Sequence, residues 1–490
     1  MKKAGLLLGM LMIMMIHART QQPYHEKYRP QYHFSPLKGW TGDPDGLVKY
    51  KGLYHLFWWG HAISKDLVYW KEMPYPIKGN TRHDEINSGG AVIDTGNVAG
   101  FGKNAMIGFH SIQNKTQSVG ISSSLDYTYL DLYPANPVLI NNGAGSDFRD
   151  PHVFWYEPSS RWIMIVAMGV ERKLNFYEST DLKSWNYISS YGPDGGKAGD
   201  NWECPDMFML PLDGNNSHRK WVLMISAGTD KMQYFIGHFD GKKFTNEQPG
   251  QYLALDFGKD FYAARTWRDF DNLQDKTIIM GWLGNWDYAQ HVPSKETYDG
   301  QGIESLPREL TLKAYPEGMR VRQSPIAGLK KLRDSGVRKT NVPISGVTNL
   351  AGLLPYNNQK NVYEMEVVFK TDSSVVGINL LVDHISGRNL VIQYNPKDSL
   401  LSVDRRKTTD TDFCCHFPVI TQTQAAPKEG LLRLHIYVDQ SSVEIFVNDG
   451  KTVCSMLTFP AESQTGIEVF SNKGPAVLKE IQIWPLKSIW

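Results

Sequence analysis

Three acidic residues of this chain each lie directly before, or one residue away from, a proline. They are Asp43 in the stretch Trp40-Thr41-Gly42-Asp43-Pro44-Asp45-Gly46, Asp150 in Arg149-Asp150-Pro151, and Glu203 in Trp202-Glu203-Cys204-Pro205. Proline fixes its own φ and biases the residue before it toward an extended conformation, so these carboxylates are presented rigidly. In one shared pocket the three carboxylates would repel each other, and one would hold its proton near neutral pH. A protonated acid beside an ionised one is what glycosidic bond cleavage requires.

Two other interpretations fit the same acids. Asp-Pro and Asp-Gly pairs are ordinary turn residues, and any one of them alone is structural more often than functional. Three carboxylates can also bind a metal, but no His or further acid stands at the matching position to complete a site. The sequence therefore predicts no metal and no cofactor.

A weak internal repeat indicates how the acids are positioned. The segment Ser64-Lys65-Asp66-Leu67-Val68-Tyr69-Trp70 recurs as Ser179-Thr180-Asp181-Leu182-Lys183-Ser184-Trp185, with a shorter copy starting at Ser122 and a related turn starting at Gly237. The copies start 57 or 58 residues apart. A unit of that length holds about four strands, which is typical of a β-propeller blade. Residues 27–320 would then form five blades.

The repeat also places the three acids at matching points of their blades. Asp150 follows Asp43 by about two periods, and Glu203 follows Asp150 by about one. The first strands of a propeller line its central channel, so equivalent positions of different blades converge on one funnel. We therefore expect the three carboxylates to meet there.

Short β-rich runs bounded by Gly, Asp or Pro fill the chain, and helix-period patterns are nearly absent. Lys51-Gly52 and Asn448-Asp449-Gly450 are strong hairpin turns. The Pro-, Gly- and Lys/Arg-containing residues 321–340 are predicted to be a linker, and the alternating runs of residues 341–490 a β-sandwich. The predicted fold is all-β, with a five-bladed β-propeller followed by a C-terminal β-sandwich that supports it.

Composition and the N-terminus restrict partners and location. Among 490 residues the net charge is +1, which gives no indication of a nucleic-acid partner. Residues 1–22, with Lys2 and Lys3 before an apolar run, are predicted to be a signal peptide, so the mature protein is expected to be secreted or periplasmic. No later run is long enough to span a membrane. The oligomeric state is left undetermined.

Four cysteines are too few for a disulfide framework in a chain of this size. Pairing of Cys414 or Cys415 with Cys454 is one alternative. Free thiols are the other, and the favoured one, because adjacent cysteines have an awkward geometry for a bridge.

An ordered set of motifs resembles glycoside hydrolase family 32, the invertases, exo-inulinases and levanases, along most of the mature chain. The segments that carry the resemblance are Gln31–Pro36, Trp40–Gly46, Trp59–Ala62 with Ser64–Trp70, Phe148–Pro151, Trp202–Asp206, Asp260–Ala263, Gly281–Trp282, Ser305–Arg308 and Val438–Phe446. Any one of them is weak, but the set in this order is specific.

The resemblance implies a role for each acid. Asp43 matches the nucleophile that attacks C2 of a fructosyl unit, Glu203 the general acid/base, and Asp150 the acid that stabilises the transition state. The family retains configuration, so Asp43 and Glu203 are expected about 5 to 5.5 Å apart. Arg149 would hold the carboxylates and tune Glu203, or form a purely structural ion pair. The predicted substrate-binding residues for an oligo- or polysaccharide are Trp40, Trp58, Ser88, Arg149, Tyr262 and Trp282.

Departures from the family pattern fall around the nucleophile. Thr41, Gly42 and Asp45 replace Met and two Asn, and Asp45 adds a like charge that would raise a neighbour's pKa. A loop that the family has after His-Leu-Phe is missing, because Phe57 is followed directly by Trp58-Trp59-Gly60-His61-Ala62. Asn87 and Arg265 replace a Phe and a frequent Gln. We expect the sugar pocket to be more open than, or shaped differently from, that of an ordinary invertase.

Three classes of function fit these residues. The first is a secreted retaining β-fructosidase acting on terminal β-fructosyl units of levan, inulin or sucrose, with fructosyl transfer as a variant of the same chemistry. The second is a propeller glycosidase for another sugar, for example an arabinoside. The third is an inert sugar-binding protein, although loss of one acid would be the simplest route to inertness and all three are present.

Overall fold

Strands make up most of the molecule. The computed structural model describes residues 24–58, 60–77, 86–112, 118–141, 147–194, 200–272, 276–297, 300–409 and 412–490. Strands account for 56% of it and helices for 4%, which confirms the all-β prediction. Residues 1–22, predicted to be a signal peptide, and Trp59 lie outside the described residues. Within the described part, we find no helix with the length and apolarity needed to cross a bilayer.

Each of the first four sheets is built mainly from consecutive antiparallel strands. A short strand β1 (Gly39–Trp40) precedes them. The first sheet contains β2 (Asp45–Tyr50), β3 (Leu53–Phe57), β4 (His61–Ser64) and β5 (Trp70–Met73). The second contains β6 (Ile86–Asp94), β7 (Ala105–Ile112) and β8 (Ser118–Ser124), with β9 (Asp131–Leu132) and β10 (Leu139–Ile140) beside β8. The third contains β11 (Phe148–Tyr156), β12 (Arg161–Met168), β13 (Lys173–Ser179) and β14 (Asn186–Tyr191), and the fourth β15 (Trp202–Leu212), β16 (Asn215–Ala227), β17 (Lys231–Phe239) and β18 (Phe244–Asn246).

The next strands close the arrangement. They are β19 (Tyr262–Thr266), β20 (Arg268–Asp269), β21 (Thr277–Trp282), β22 (Gly300–Gln301), β23 (Arg308–Tyr315) and β24 (Gly318–Pro325). Strands β19, β21, β23 and β24 pair in that order, while β20 pairs with β2 and β22 with β1. One parallel pair, Leu212 with Leu312, joins this group to the fourth sheet. The chain therefore returns to its own first sheet before leaving the propeller.

The first strands of the successive sheets contact each other in order, β2 with β6, β6 with β11, β11 with β15 and β15 with β19, and β19 contacts β2 again. Each of them has a β-bulge near its start, at Asp45/Val48, Asn87/Gly89, Arg149/His152, Glu203/Asp206 and Tyr262/Arg265. A bulge inserts one extra residue and re-aims the side chains next to it. Asp150, Cys204 and Ala263 take positive φ values of 61°, 47° and 51° there. Asp150 and Glu203 thus lie at equivalent bulges, and Asp43 lies two residues before the bulge of β2.

The sequence repeat is a turn between the third and fourth strands of a sheet. Ser64, Ser124 and Ser179 each accept a backbone hydrogen bond from the residue three positions later, which has a positive φ. The alignment that started the second copy at Ser122 was wrong by two residues. Three consecutive serines made the sequence register ambiguous, and the turn geometry selects the last of them.

The C-terminal domain is a β-sandwich whose two layers share one long strand. Its strands are β25 (Val337–Asn349), β26 (Tyr363–Lys370), β27 (Val375–Asp383), β28 (Arg388–Asn395), β29 (Leu400–Lys407), β30 (Ile420–Gln424), β31 (Leu431–Asp439), β32 (Ser442–Val447), β33 (Thr452–Leu457) and β34 (Gly466–Pro485). Strand β34 pairs with β27 through its first part and with β26 through its second part. Aliphatic side chains from both layers form the core between them. Both predicted hairpin turns are present, between β2 and β3 and between β32 and β33.

Residues 321–340, predicted to be the linker between the two domains, consist mostly of regular elements. They contain the end of β24, a 3₁₀ helix (Ala327–Leu332) and the start of β25. The prolines and glycines mark the ends of these elements rather than a disordered stretch. Gly336 illustrates this, because a Cβ at that position would lie 2.3 Å from the ring of Trp484. The other 3₁₀ helices of the described part are Glu157–Ser159, Ala289–His291, Pro293–Glu296 and Leu350–Gly352.

A buried cluster of charges joins the two domains. His33 Nδ1 lies 2.8 Å from Asp439 Oδ2 and its Nε2 lies 2.9 Å from Glu444 Oε1. Arg308 donates to Glu444 and to Asp256. Burial lowers the pKa of His33, but the hydrogen bonds to the two carboxylates outweigh it and raise that pKa to about 9. Several motifs that carried the family resemblance therefore hold the domains together.

Candidate active site

The bulged first strands bring Asp43, Asp150 and Glu203, here called the acid cluster, to one end of the channel. Asp43 lies in the turn between β1 and β2, Asp150 in β11 and Glu203 in β15. The thiol of Cys204 connects them, because its Sγ lies 3.5 Å from Oδ2 of both Asp43 and Asp150. The convergence expected from the repeat is therefore present.

Asp43 is held by its neighbours on one oxygen and left without a partner on the other. Ser88 Oγ donates a 2.6 Å hydrogen bond to Asp43 Oδ2. Asp43 Oδ1 has no hydrogen-bond partner although it is buried. Burial, followed by repulsion from Asp150, raises the pKa of Asp43, while Ser88, Arg265 and Cys204 oppose the rise. One oriented oxygen and one free oxygen is the arrangement expected of a nucleophilic carboxylate.

Asp150 is fixed by the backbone around it. Its Oδ2 accepts the backbone N–H of Cys204 at 2.9 Å. Its own backbone N–H donates to Ser111 Oγ at 2.6 Å, and that hydroxyl donates to the carbonyl of Ser88. This chain of contacts connects β6, β7, β11 and β15. Asp150 is therefore a rigid acceptor suited to binding a hydroxyl group of a sugar.

Glu203 lies between a cation and a phenol. Arg149 Nη2 pairs with its Oε1, and the hydroxyl of Tyr262 lies 2.6 Å from its Oε2 and 2.7 Å from the carbonyl of Gly228. Burial raises the pKa of Glu203 to about 7; the charge of Arg149 opposes the rise, and the carboxylates of Asp150 and Asp43 add to it. Glu203 is therefore poised to exchange a proton near neutral pH.

Tyr262 suits both protonation states of Glu203. It can donate to Gly228 while it accepts the proton of neutral Glu203, or donate to Glu203 when that residue is ionised. No rearrangement of the backbone is needed for the change.

Aromatic rings flank the acid cluster on the side of the β1 turn. Trp40 stacks on Trp286 with ring centroids 6.1 Å apart, and Trp282 lies 4.8 Å from Trp286. Trp282 is buried, and its Nε1 has no hydrogen-bond partner. Trp286 is 39% exposed. Exposed rings of this kind serve as stacking surfaces for apolar faces of ligands.

The two parts of the chain match two family models, the N-terminal domain of glycosyl hydrolases family 32 over residues 33–325 and its C-terminal domain over residues 328–485. The chain belongs to glycosyl hydrolase family 32. It is therefore a glycoside hydrolase by family, and the propeller and sandwich are the two domains of that family.

Relatives of this family 32 chain include a levanase of Bacillus subtilis, 38% identical over 95% of this chain and 72% of the relative. An extracellular exo-inulinase of Aspergillus niger is 30% identical over 95% of this chain and 96% of the relative. Among solved structures, exo-inulinase from Aspergillus awamori has a TM-score of 0.86 at 29% identity, covering 95% of this chain and all of that one. The β-fructofuranosidase of Schwanniomyces occidentalis complexed with fructosyl-erythritol has a TM-score of 0.82 at 26% identity, covering 95% and 99%.

The connection between β3 and β4 is short. Strand β3 ends at Phe57 and β4 begins at His61, with backbone hydrogen bonds in both directions between Trp58 and Gly60. Trp58 is buried against Phe34 in the apolar core. These are the contacts of a core residue, and its predicted role in sugar binding is left as a prediction.

Several residues near the acid cluster were not singled out as site residues by their sequence. Ser111 and Cys204 hold the carboxylates, as described above. Glu304 is buried, accepts a 2.9 Å hydrogen bond from Thr41 and has a pKa raised well above its usual value by burial. Arg265 was noted only as a departure, but it lies beside Asp45. The sequence does not mark any of these residues as functional, because the role of each depends on a partner that is distant in the chain.

A group of side chains that could hold a metal ion lies outside the acid cluster. Within the described ranges, the group of possible ligands that lies close enough together is Glu364, Glu366 and His435 in the sandwich. Arg333 already pairs there with Glu364. In the acid cluster, Ser88, Cys204, Arg149 and Tyr262 contact carboxylate oxygens, and Asp43 Oδ1 has no partner. All four cysteines carry free thiols. This confirms the prediction that they are free rather than paired in a disulfide.

Proposed function

We propose that this protein is a retaining β-fructosidase that removes terminal β-D-fructofuranosyl units from fructans and sucrose. The observation that carries the proposal is the pairing of two buried carboxyl groups with different environments. Glu203 has a pKa of about 7, while Asp43 is hydrogen-bonded on one oxygen and unpaired on the other. An acid and a nucleophile of this kind are what a double displacement at a glycosidic carbon needs.

The first step forms a bond to Asp43. Protonated Glu203 donates its proton to the glycosidic oxygen as an Asp43 oxygen attacks C2 of the fructosyl unit, and the C2–O bond to the leaving group breaks. The products are a fructosyl ester of Asp43 and the shortened saccharide. Asp150 accepts hydrogen bonds from sugar hydroxyls, and Arg149 stabilises the carboxylate that forms on Glu203.

The second step releases fructose. Ionised Glu203 takes a proton from water, whose oxygen attacks C2 and displaces the Asp43 carboxylate. Two inversions give net retention. The proton taken from water restores the acid form of Glu203 for the next turnover, and Tyr262 can hydrogen-bond to Glu203 in either protonation state.

Relatives guide the choice of substrate. The B. subtilis relative is named a levanase, and the two Aspergillus proteins are named exo-inulinases. Because identity is higher to the levanase, levan is proposed as the first substrate to test. Trp286, with Trp40 stacked on it, is proposed as the sugar-stacking surface. Trp282 is buried against both rings and is proposed to support them, and Ser88, Arg149 and Tyr262 act on the substrate through the acids that they contact.

The remaining assignments are part of the same proposal. The five first strands and their sheets are proposed to be the blades of one five-bladed propeller spanning residues 27–320, supported by the ring of contacts that β19 closes on β2. Residues 1–22 are proposed to direct export, in line with the extracellular exo-inulinase relative. A saccharide is the proposed partner, and no nucleic acid is expected at a net charge of +1.

The test is product analysis with purified protein on levan, inulin, sucrose and an arabinan, using Asp43→Asn as the control. Free fructose from any of the first three that is absent in the control would support the proposal and identify the linkage. Longer fructosyl products would indicate transfer. Arabinose release, or no product from any substrate, would reject it in favour of an altered specificity or an inert binding protein.

The stereochemistry provides a second check. NMR of the first product on a levan or inulin substrate should show the β-anomer of fructose, since Asp43 and Glu203 are proposed to work by double displacement. The α-anomer as first product would require direct attack by water and would contradict the nucleophile assignment.

A further inference from the structure

Arg265 is a fully buried cation below the acid cluster that the proposed reaction does not use. It is 3% exposed and lies in β19, directly after the bulge between Tyr262 and Arg265. Its Nη1 donates a 3.0 Å hydrogen bond to the carbonyl of Pro205, two residues after Glu203. Its Nε lies 3.6 Å from Oδ1 of Asp45, two residues after Asp43. One guanidinium group therefore contacts the segments that carry the nucleophile and the acid/base.

Asp45 is held from the other side as well. Its Oδ1 accepts the backbone N–H of Gly89 at 3.0 Å, next to Ser88, which bonds to Asp43. Asp45, Pro205 and Arg265 all lie within or beside the bulges of three different first strands. A link between these three points fixes the relative positions of β2, β15 and β19, and with them the distance between Asp43 and Glu203.

The charge of Arg265 is directed at the acids. Its Nη1 donates to the Pro205 carbonyl, while its Nε and Nη2 are buried without hydrogen-bond partners, and the carboxylate of Asp45 lies 3.6 Å from Nε. Burial raises the pKa of Asp43 and of Asp45, and Arg265 opposes both rises. The charged and titratable groups that surround Asp43 are Asp45 on β2, Asp150 on β11, Glu203 and Cys204 on β15, Tyr262 and Arg265 on β19, and Glu304 before β23.

We propose that Arg265, anchored by Asp45, is a positioning residue for the reaction that ties the Asp43 turn to the Glu203 strand and places a buried positive charge beside the acid cluster. This proposal rests on the proposed function only for its kinetic readout.

The kinetic experiment compares Arg265→Gln and Arg265→Lys with wild type in the pH profile of kcat/KM. Arg265→Gln removes the charge, so the acid limb should move to higher pH, with about tenfold lower kcat/KM on that limb. Arg265→Lys keeps the charge but loses the fork that reaches both Pro205 and Asp45. Its limb should stay in place while kcat falls. A limb that is unmoved in Arg265→Gln would overturn the electrostatic role.

The second experiment is a double-mutant cycle in thermal stability with Asp45→Asn, Arg265→Gln and the double variant. A buried pair that loses one member leaves an unpaired charge, so the double variant should melt at a higher temperature than Arg265→Gln alone, and its acid limb should move back toward wild type. Additive losses in melting temperature would overturn the pairing. The exposed pair Arg338 and Glu480 of the sandwich, changed in the same way to Gln, is the matched control.

The two readouts separate this proposal from the proposed function. If wild type releases no fructose from any substrate, the proposed function fails, and the stability cycle still decides whether Asp45 and Arg265 are coupled. If wild type is active, but the acid limb of kcat/KM does not move in Arg265→Gln and the losses in melting temperature are additive, the function stands and the positioning role of Arg265 is rejected.

Discussion

Replacing Glu203 with glutamine should make the folded protein more stable above neutral pH while it removes the acid/base. The Glu203 side chain is 15% exposed, and its pKa is raised from 4.5 to about 7 by burial. A tenfold change in an acid dissociation constant corresponds to about 1.4 kcal/mol. Ionising Glu203 in the folded protein therefore costs about 3 kcal/mol more than ionising it in the unfolded chain.

The sign follows from the direction of the change. Because the folded-state pKa lies above the unfolded value, the proton of Glu203 contributes stability that is fully present below pH 4.5 and is lost as the pH rises through about 7. The Glu203→Gln variant has no such loss. Its free energy of unfolding relative to wild type should therefore rise by about 3 kcal/mol between pH 4.5 and about 8.

The assay is urea denaturation of both proteins across this pH range, followed by tryptophan fluorescence. Taking the difference between variant and wild type cancels the pH-independent effects of the substitution, such as the altered pairing with Arg149. The exposed Glu462→Gln in the sandwich is the control and should change stability by no more than about 0.5 kcal/mol. A difference for Glu203→Gln that stays constant within about 1 kcal/mol across the range would refute the raised pKa and, with it, the assignment of Glu203 as the acid.

Four further predictions concern the same carboxylates and the domain interface. Asp43→Asn should reduce turnover to below about one thousandth of the wild-type rate with an unchanged circular dichroism spectrum. Glu203→Gln should reduce the rate of hydrolysis of natural saccharides far more than that of fructosides with activated leaving groups. Equal losses on both substrate types would count against the acid role. Ser88→Ala removes the hydrogen bond that lowers the pKa of Asp43, so the acid limb of kcat/KM should move to higher pH, and an unmoved limb would show that Ser88 only packs. His33 has a folded-state pKa raised from 6.5 to about 9 by its two carboxylate partners. Its contribution to stability is therefore present below pH 6.5 and lost as the pH rises through 9, so wild type should lose on the order of 3 kcal/mol of unfolding free energy relative to His33→Gln over that range. If the two proteins showed the same dependence of unfolding free energy on pH, the prediction would be wrong.

Much of the site could be predicted because its chemistry is written into local patterns. Each acid of the cluster is marked by a nearby proline, and the roughly 58-residue repeat places all three at one phase of the propeller. The structure brings them together as expected. The start of the second copy was misplaced by two residues, at Ser122 instead of Ser124, because three serines in a row left the register of the repeat ambiguous.

The supporting residues could not be predicted in the same way. Ser111, Cys204 and Glu304 are common residue types whose roles depend on partners in other sheets, 39 to 263 residues away in the chain. Their contacts are set by the bulges and by how neighbouring strands align. The regular elements within residues 321–340 could not be predicted for a related reason, since prolines and glycines that end packed elements have the same composition as those of an irregular segment.

The sequence by itself determined the all-β class, the three acids and their common phase, because turn residues and alternation act locally. Tertiary structure alone decided which side chains surround each acid and how strongly each holds its proton. The change in the pKa of Glu203 depends on burial and on charges that arrive from separate strands, and the contact between Asp45 and Arg265 joins residues 220 positions apart. Electrostatic energies depend on distance through space, so a charge pair of this kind has no signature along the chain.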